Sequence, residues 1–210
     1  MRKHPKLSNL TVWFGLFMVT IVVYPFSTKG ADSTFMLPLV LQKINTDELS
    51  TVEYKWLEEM AKHYEVLAIP SNEDFFDLLL LKVDYIPPSL ALTQAAIESG
   101  WGSSRFAKKG NNLFGQWCFI KVAKFKSVNA SVRAYLHNLN TNSSFKSIRQ
   151  TRANIRKSNG VLTGTELAKS LQDYSAEGPL YVQKLTRFIN QNKLQRFTAQ
   201  FEKSLIKYSQ

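Results

Sequence analysis

The chain has 210 residues, is 44% hydrophobic and carries a formal charge of +11. It can bury a proper core, so one globular domain is the default, and its lone cysteine, Cys118, excludes any disulfide within the chain. The charge is uneven: +4 over residues 1–31, −8 over 32–98, +12 over 99–165 and +3 over 166–210. Such a dipolar molecule attracts polyanions to its positive side: nucleic acid, anionic lipid headgroups or a carboxylate-bearing cell-wall glycan.

In chain order, Arg2, Lys3 and Lys6 precede 17 uncharged and largely apolar residues, Leu10 to Phe26. A basic front before an apolar stretch is the pattern of an export signal. Seventeen residues lie at the lower edge of what spans a bilayer core of ~30 Å. Lys29 spoils the small-x-small pattern before Ala31, which favours an uncleaved anchor over a cleaved signal peptide. The excess of basic charge on the leading side predicts a cytoplasmic N-terminus and a body exported to the periplasmic side of the inner membrane.

The remainder reads as helix after helix. Leu49, Val52, Trp56, Met60, Tyr64 and Leu67 recur at steps of three and four. Ser71 caps a short helix carrying Phe75, Phe76 and Leu78 to Leu80. Pro87 and Pro88 open a helix that runs to Ser99 and stops at Gly100. Only Gln116 to Phe125 has strand-like composition. Stripes follow at Val128, Val132, Tyr135, Leu136 and Leu139, then at Phe145, Ile148 and Ile155, ending at Gly160. Thr163 and Glu166 form a capping box before Leu167 and Leu171. Pro179 starts a helix with Tyr181, Leu185, Phe188 and Ile189, and Leu194, Phe197, Phe201 and Leu205 mark the last one. The expected fold is therefore mainly all-α. Its expected parts are the signal or anchor (1–31), a packed helical extension (32–84), the main domain (85–196) and an amphipathic tail (197–210).

Glu98 is the sole acid in Ala-Ile-Glu-Ser-Gly-Trp-Gly (96–102), and no Asp or Glu follows from Ser99 to Thr165, a stretch holding 12 Lys and Arg. One helical turn before Glu98 stand Gln94 and Ala95, with Ala91 beyond; their small size is expected to leave room for a ligand beside the carboxylate. An apolar wall penalises the charged form, raising the pKa as a general acid near neutral pH requires. Trp101 can both desolvate that acid and stack on a sugar face. The bland alternative is a glutamate that merely ends an exposed helix.

The sequence around Glu98 resembles the glucosaminidase family of bacterial cell-wall hydrolases (glycoside hydrolase family 73), most closely its Bax-type branch. The resemblance rests on Tyr-Ile-Pro-Pro-Ser-Leu-Ala-Leu-Thr-Gln-Ala-Ala-Ile-Glu-Ser-Gly-Trp-Gly (85–102), Arg-Phe-Ala (105–107) and Asn-Asn-Leu-Phe-Gly-Gln-Trp-Cys-Phe (111–119). It continues through Asn-Leu-Asn-Thr (138–141), Leu-Ala-Lys-Ser-Leu-Gln-Asp-Tyr-Ser (167–175) and Tyr-Val-Gln-Lys-Leu (181–185). It implies a lysozyme-like helical fold with a small β-lobe, cutting the β-1,4 bond after N-acetylglucosamine in peptidoglycan. By position, Glu98 falls on the catalytic acid and Tyr174 on a tyrosine near the reaction centre. Asn111, Asn112, Leu113, Phe114 and Gly115 fall on the loop that floors the cleft, with Trp117 and Tyr181 as further aromatics on the glycan. Phe114 and Tyr181 also read as packing, and Trp117 as either core or sugar platform.

One departure stands out. In relatives a longer segment carrying a second acid separates the Asn-Leu-Phe-Gly loop from the following strand; here Phe119 passes through Ile120 and Lys121 directly to Val122-Ala123-Lys124-Phe125. Asp173 and Glu177 downstream, or Asp74 and Asp84 upstream, are the remaining candidates for a partner carboxylate. Without one, the substrate's 2-acetamido group can act as nucleophile, and the chain is a glucosaminidase of reduced rate. The alternative is an inactive glycan-binding protein. A nucleic-acid binder is set aside because the export segment removes the partner. No metal or cofactor is expected, since His4, His63, His137 and Cys118 have no ligand spacing.

Overall fold

A computed structural model describes residues 51–66, 73–118, 120–172 and 174–208. All of them belong to one compact unit, Thr34–Gln210. The apolar stretch 10–26, the Ser71 cap and Asp173 lie outside the described residues. No helix among those described is long and apolar enough to cross a membrane.

The body is helical throughout except for one hairpin, as the periodicities predict. Helices α1 (Thr51–His63) and α2 (Glu73–Lys82) pair through Leu57, Met60, Ala61, Tyr64, Phe75, Leu79 and Val83. Then come α3 (Pro88–Ser99), α4 (Arg105–Gly110) and the strands β1 (Trp117–Cys118) and β2 (Lys121–Val122). The second half holds α5 (Val128–Thr141), α6 (Lys146–Lys157), α7 (Gly164–Ala168), α8 (Pro179–Gln191) and α9 (Gln195–Tyr208). Short 3-10 turns lead into α6 and out of α7. The strands pair antiparallel, Trp117 with Val122 and Cys118 with Lys121. That two-residue ladder is the whole of the sheet among the described residues, the reduced β-lobe expected from the shortened segment. Helix α4, unmarked by any apolar stripe, was not anticipated; Ser104 caps it, accepting from Ala107 N at 3.1 Å.

The middle of the molecule is α3. Every residue from Pro88 to Ala96 is buried, and α7, α8 and α9 pack around it. A largely apolar helix is surrounded by the others, and its buried polar side chains Ser89, Thr93 and Gln94 are hydrogen-bonded. Pro88 starts it without forfeiting a hydrogen bond, and Gly100 ends it in the left-handed region at φ 55°. Gly164 opens α7 where a Cβ would come within 2.9 Å of Leu90 N, so only glycine permits this approach to α3. Half of the predicted capping box forms: Thr163 Oγ1 accepts from Glu166 N at 3.1 Å, while the Glu166 carboxylate turns to Lys169 Nζ.

A buried ionic centre ties α2 to α6. The Asp84 carboxylate accepts from Arg156 Nε and Nη2, each at 3.1 Å, and faces Arg152 Nε at 3.6 Å. Arg152, 1% exposed, also donates to the carbonyls of Leu81 and Asp84 and to Asn140 Oδ1. Arg149 donates to the carbonyls of Leu139 and Asn142, closing the C-terminal end of α5. Among the described residues no buried side-chain polar atom lacks a partner.

Candidate active site

Glu98 sits in the last turn of α3, where that helix emerges from the core and its surface becomes exposed. The next residues explain the Glu-Ser-Gly-Trp-Gly spelling. Ser99 Oγ donates to Ala95 O and accepts from Gly102 N, pinning the turn that follows. Gly100, Trp101 and Gly102 then take three successive positive φ angles of 55°, 59° and 73°. For tryptophan this region is strained, and glycines on either side allow the reversal. The reversal lays the Trp101 ring on Phe188 of α8, centroids 5.2 Å apart.

Behind Glu98 runs a chain of oriented hydrogen bonds. Tyr135 OH, from α5, donates to Gln94 Oε1. Gln94 Nε2 donates to Tyr181 Oη at 3.1 Å, and Tyr181 OH donates to Glu98 Oε1 at 3.2 Å. Because Gln94 already supplies a proton to the Tyr181 oxygen, the tyrosine's own proton is left to point at the carboxylate. Gln94, Tyr135 and Tyr181 are 0%, 2% and 3% exposed, so this is an internal scaffold rather than a solvated network. The expectation that Gln94 leaves space beside Glu98 is therefore corrected: its amide fills that space as the hub of the chain.

The loop after α4 closes the other side. At Gly115 (φ 61°) a Cβ would stand 3.8 Å from Glu98 Oε2, which puts the loop backbone against the carboxylate. Asn112, 1% exposed, holds this loop by donating to the carbonyls of Gln116 and Ala123 and accepting from Gln116 N. Asn111 donates to Phe125 O at 3.0 Å. Phe114, 5% exposed, stacks on Tyr135 with centroids 3.9 Å apart. These three side chains therefore face inward and shape the floor. Tyr174 lies face to face with Tyr181 at 5.5 Å and also meets Phe145 at 5.6 Å.

The electrostatics suit an acid. Glu98 is exposed by surface area, yet the protein around its carboxylate partly desolvates it and raises its pKa above the ordinary value. The Tyr181 hydrogen bond and the Lys184 charge oppose that rise, and the Glu177 charge adds to it. Lys184 and Glu177 form an exposed ion pair at 3.6 Å, with Lys184 one turn beyond Tyr181 on α8. Burial and the Glu98 charge push the Tyr174 phenol up to about 12, so it remains a proton donor at neutral pH.

Of the sequence-derived residues, Glu98, Gly115, Tyr174 and Tyr181 come together, while Trp101 packs on Phe188. Trp117 is 68% exposed on β1 and lines a hollow of about 710 Å³ under the hairpin, to which Glu98 does not contribute. Sequence reasoning missed Gln94, Tyr135 and Lys184. A polar amide on an otherwise apolar helix, one turn before Glu98, was the available signal, since buried amides need partners. Of the partner-acid candidates, Asp84 is engaged by two arginines in the core. The side chain of Asp74 lies outside those described.

The model of the glucosaminidase family, described as mannosyl-glycoprotein endo-beta-N-acetylglucosaminidase, matches residues 79–194. The chain belongs to this family of glycan hydrolases. Among curated proteins it is similar to protein bax of Escherichia coli (strain K12), 34% identical over 177 residues, covering 79% of this chain and 64% of the relative. It thus spans just under two thirds of that protein's length. No solved structure matches it significantly.

Proposed function

We propose that the chain is a peptidoglycan hydrolase of the endo-β-N-acetylglucosaminidase type, with Glu98 as general acid. The observation that carries this reading is the Tyr135–Gln94–Tyr181 chain ending on the Glu98 carboxylate, beside Gly115, where an added Cβ would stand 3.8 Å from the opposite oxygen. Peptidoglycan is favoured by the export pattern of residues 1–31. The same pattern favours action on the periplasmic side, with residues 10–26 as the tether.

In the proposed reaction Glu98 gives its proton to the glycosidic oxygen as the C1–O bond breaks. The 2-acetamido carbonyl oxygen of the same sugar attacks C1, forming an oxazolinium ion that keeps its N–H proton, and the Tyr174 hydroxyl steadies the acetamido group. The Glu98 carboxylate then takes a proton from water, whose oxygen adds to C1 and reopens the ring. This route needs no second carboxylate, the component that the shortened hairpin segment does not supply. Glu98→Gln should abolish release of reducing ends from sacculi yet leave co-sedimentation with them intact. Equal release by the variant and the wild type would remove Glu98 from the mechanism.

The reduced β-lobe, two residues to a strand, favours a second reading: a glycan-binding protein that has lost catalysis. Absence of any reducing ends from wild type, with sacculus binding retained, would select it.

A further inference from the structure

The face formed by α4 and the hairpin is not used by the chemistry above, and its composition is unusual. Phe106, Trp117 and Ile120 are 51%, 68% and 86% exposed. Around them Lys108, Lys109, Lys121, Lys124 and Lys126 are all exposed, and none is ion-paired with a described carboxylate. The two elements abut: Phe125 N donates to Gly110 O at 2.8 Å, and Lys124 Cγ lies 3.4 Å from where a Gly110 Cβ would stand. Asn112 braces the base of the hairpin from within.

We infer that this face docks on the surface of an anionic bilayer, with Ile120 in the hairpin turn and Trp117 entering the headgroup region and the lysines meeting lipid phosphates. Two features select lipid over other polyanions. An aliphatic side chain at a hairpin turn buries more apolar surface at the acyl boundary than on the narrow C–H face of a sugar ring or on a nucleic-acid backbone. Tryptophan and lysine together are the pair favoured at membrane interfaces, the ring at headgroup depth and the ammonium against phosphate. The acid-free run explains why no like-charged carboxylate repels the surface. Ion pairing with lipid screens out over a Debye length of ~8–10 Å, so only lysines on this face contribute.

Cys118 provides the test, because it is the chain's single cysteine, exposed, and on the hairpin. The full chain is labelled there with a polarity-sensitive fluorophore and mixed with vesicles of equal parts phosphatidylglycerol and phosphatidylcholine, or of phosphatidylcholine alone. Attachment through residues 10–26 would sediment the protein with both vesicles without moving the probe out of water. The inference expects a blue shift on the anionic vesicles only, reversed by high salt. In Lys121→Glu/Lys124→Glu the lipid concentration for half-maximal shift should rise by about tenfold or more. Ile120→Ser should weaken the shift while leaving salt-sensitive association. A probe that stays in water on anionic vesicles overturns it, as does an equal shift on neutral vesicles, on DNA or on sacculi. If the charge variant does not fold, the lipid and salt dependence of the wild type decides alone.

Discussion

Tyr181 illustrates how one residue sets the properties of another. Its hydroxyl donates to Glu98 and accepts from Gln94, so Tyr181→Phe removes a bond that favours the charged carboxylate and strands a buried amide. The second effect should cost ~1–3 kcal/mol of stability. The first raises the Glu98 pKa, so the alkaline limb of the pH–rate profile should move upward. Charge neighbours act in opposite directions: Glu177→Gln removes a negative charge and should move that limb down, while Lys184→Met should move it up. Parallel shifts in the two variants, measured as kcat/KM against pH, would contradict the assigned acid. Glu98 also couples to folding. Its folded pKa lies above the unfolded one, so its stabilising contribution is complete at acid pH and is lost as pH rises through the folded value. Glu98→Gln should therefore lose ~10²–10⁴-fold in activity while its Tm at neutral pH stays at or above that of wild type. A lowered Tm would mean that the carboxylate is structural.

Among the elements, α3 was the most legible from sequence and α4 the least. The Pro-Pro opening and Gly100 stop mark α3 because they act through the backbone alone. Helix α4 is six residues with two lysines and a glycine, too short to show a period, and exists because Ser104 caps it and the 123–125 backbone lies alongside. The Glu98–Tyr174–Tyr181 cluster was reachable only through family resemblance, since the two tyrosines lie 76 and 83 residues beyond Glu98. The Gln94 hub escaped because side-chain partners across helices leave no periodic trace. Two substitutions test the elements. Gly164→Ala would force a methyl into the α3 backbone and should cost ~1–3 kcal/mol. Arg152→Ala leaves the Asp84 carboxylate with one arginine, Arg156, and the Tyr85 N–H inside the core and should cost ~3–5 kcal/mol in denaturant unfolding. A neutral result for Arg152→Ala would show that Arg156 and the Tyr85 N–H together satisfy Asp84.

For the whole molecule, the charge asymmetry read from sequence is real but not wholly external. Of the 12 basic residues between Ser99 and Thr165, Arg149 and Arg152 are buried and Arg156 is paired with Asp84, so part of the run builds the core. The other nine, the lysines of α4 and the hairpin together with Arg105, Arg133, Lys146 and Lys157, are exposed and carry the outward charge. Sacculus binding by the full chain should accordingly weaken with salt, and Glu98→Gln should not alter that dependence. The central claim, acid catalysis by Glu98 on an N-acetylglucosamine bond, is tested most directly by mass analysis of purified peptidoglycan digested with the full chain. Fragments ending in reducing N-acetylglucosamine, missing from the Glu98→Gln digest, are the expected result; anhydro-muramyl ends, or identical digests from both proteins, would contradict it.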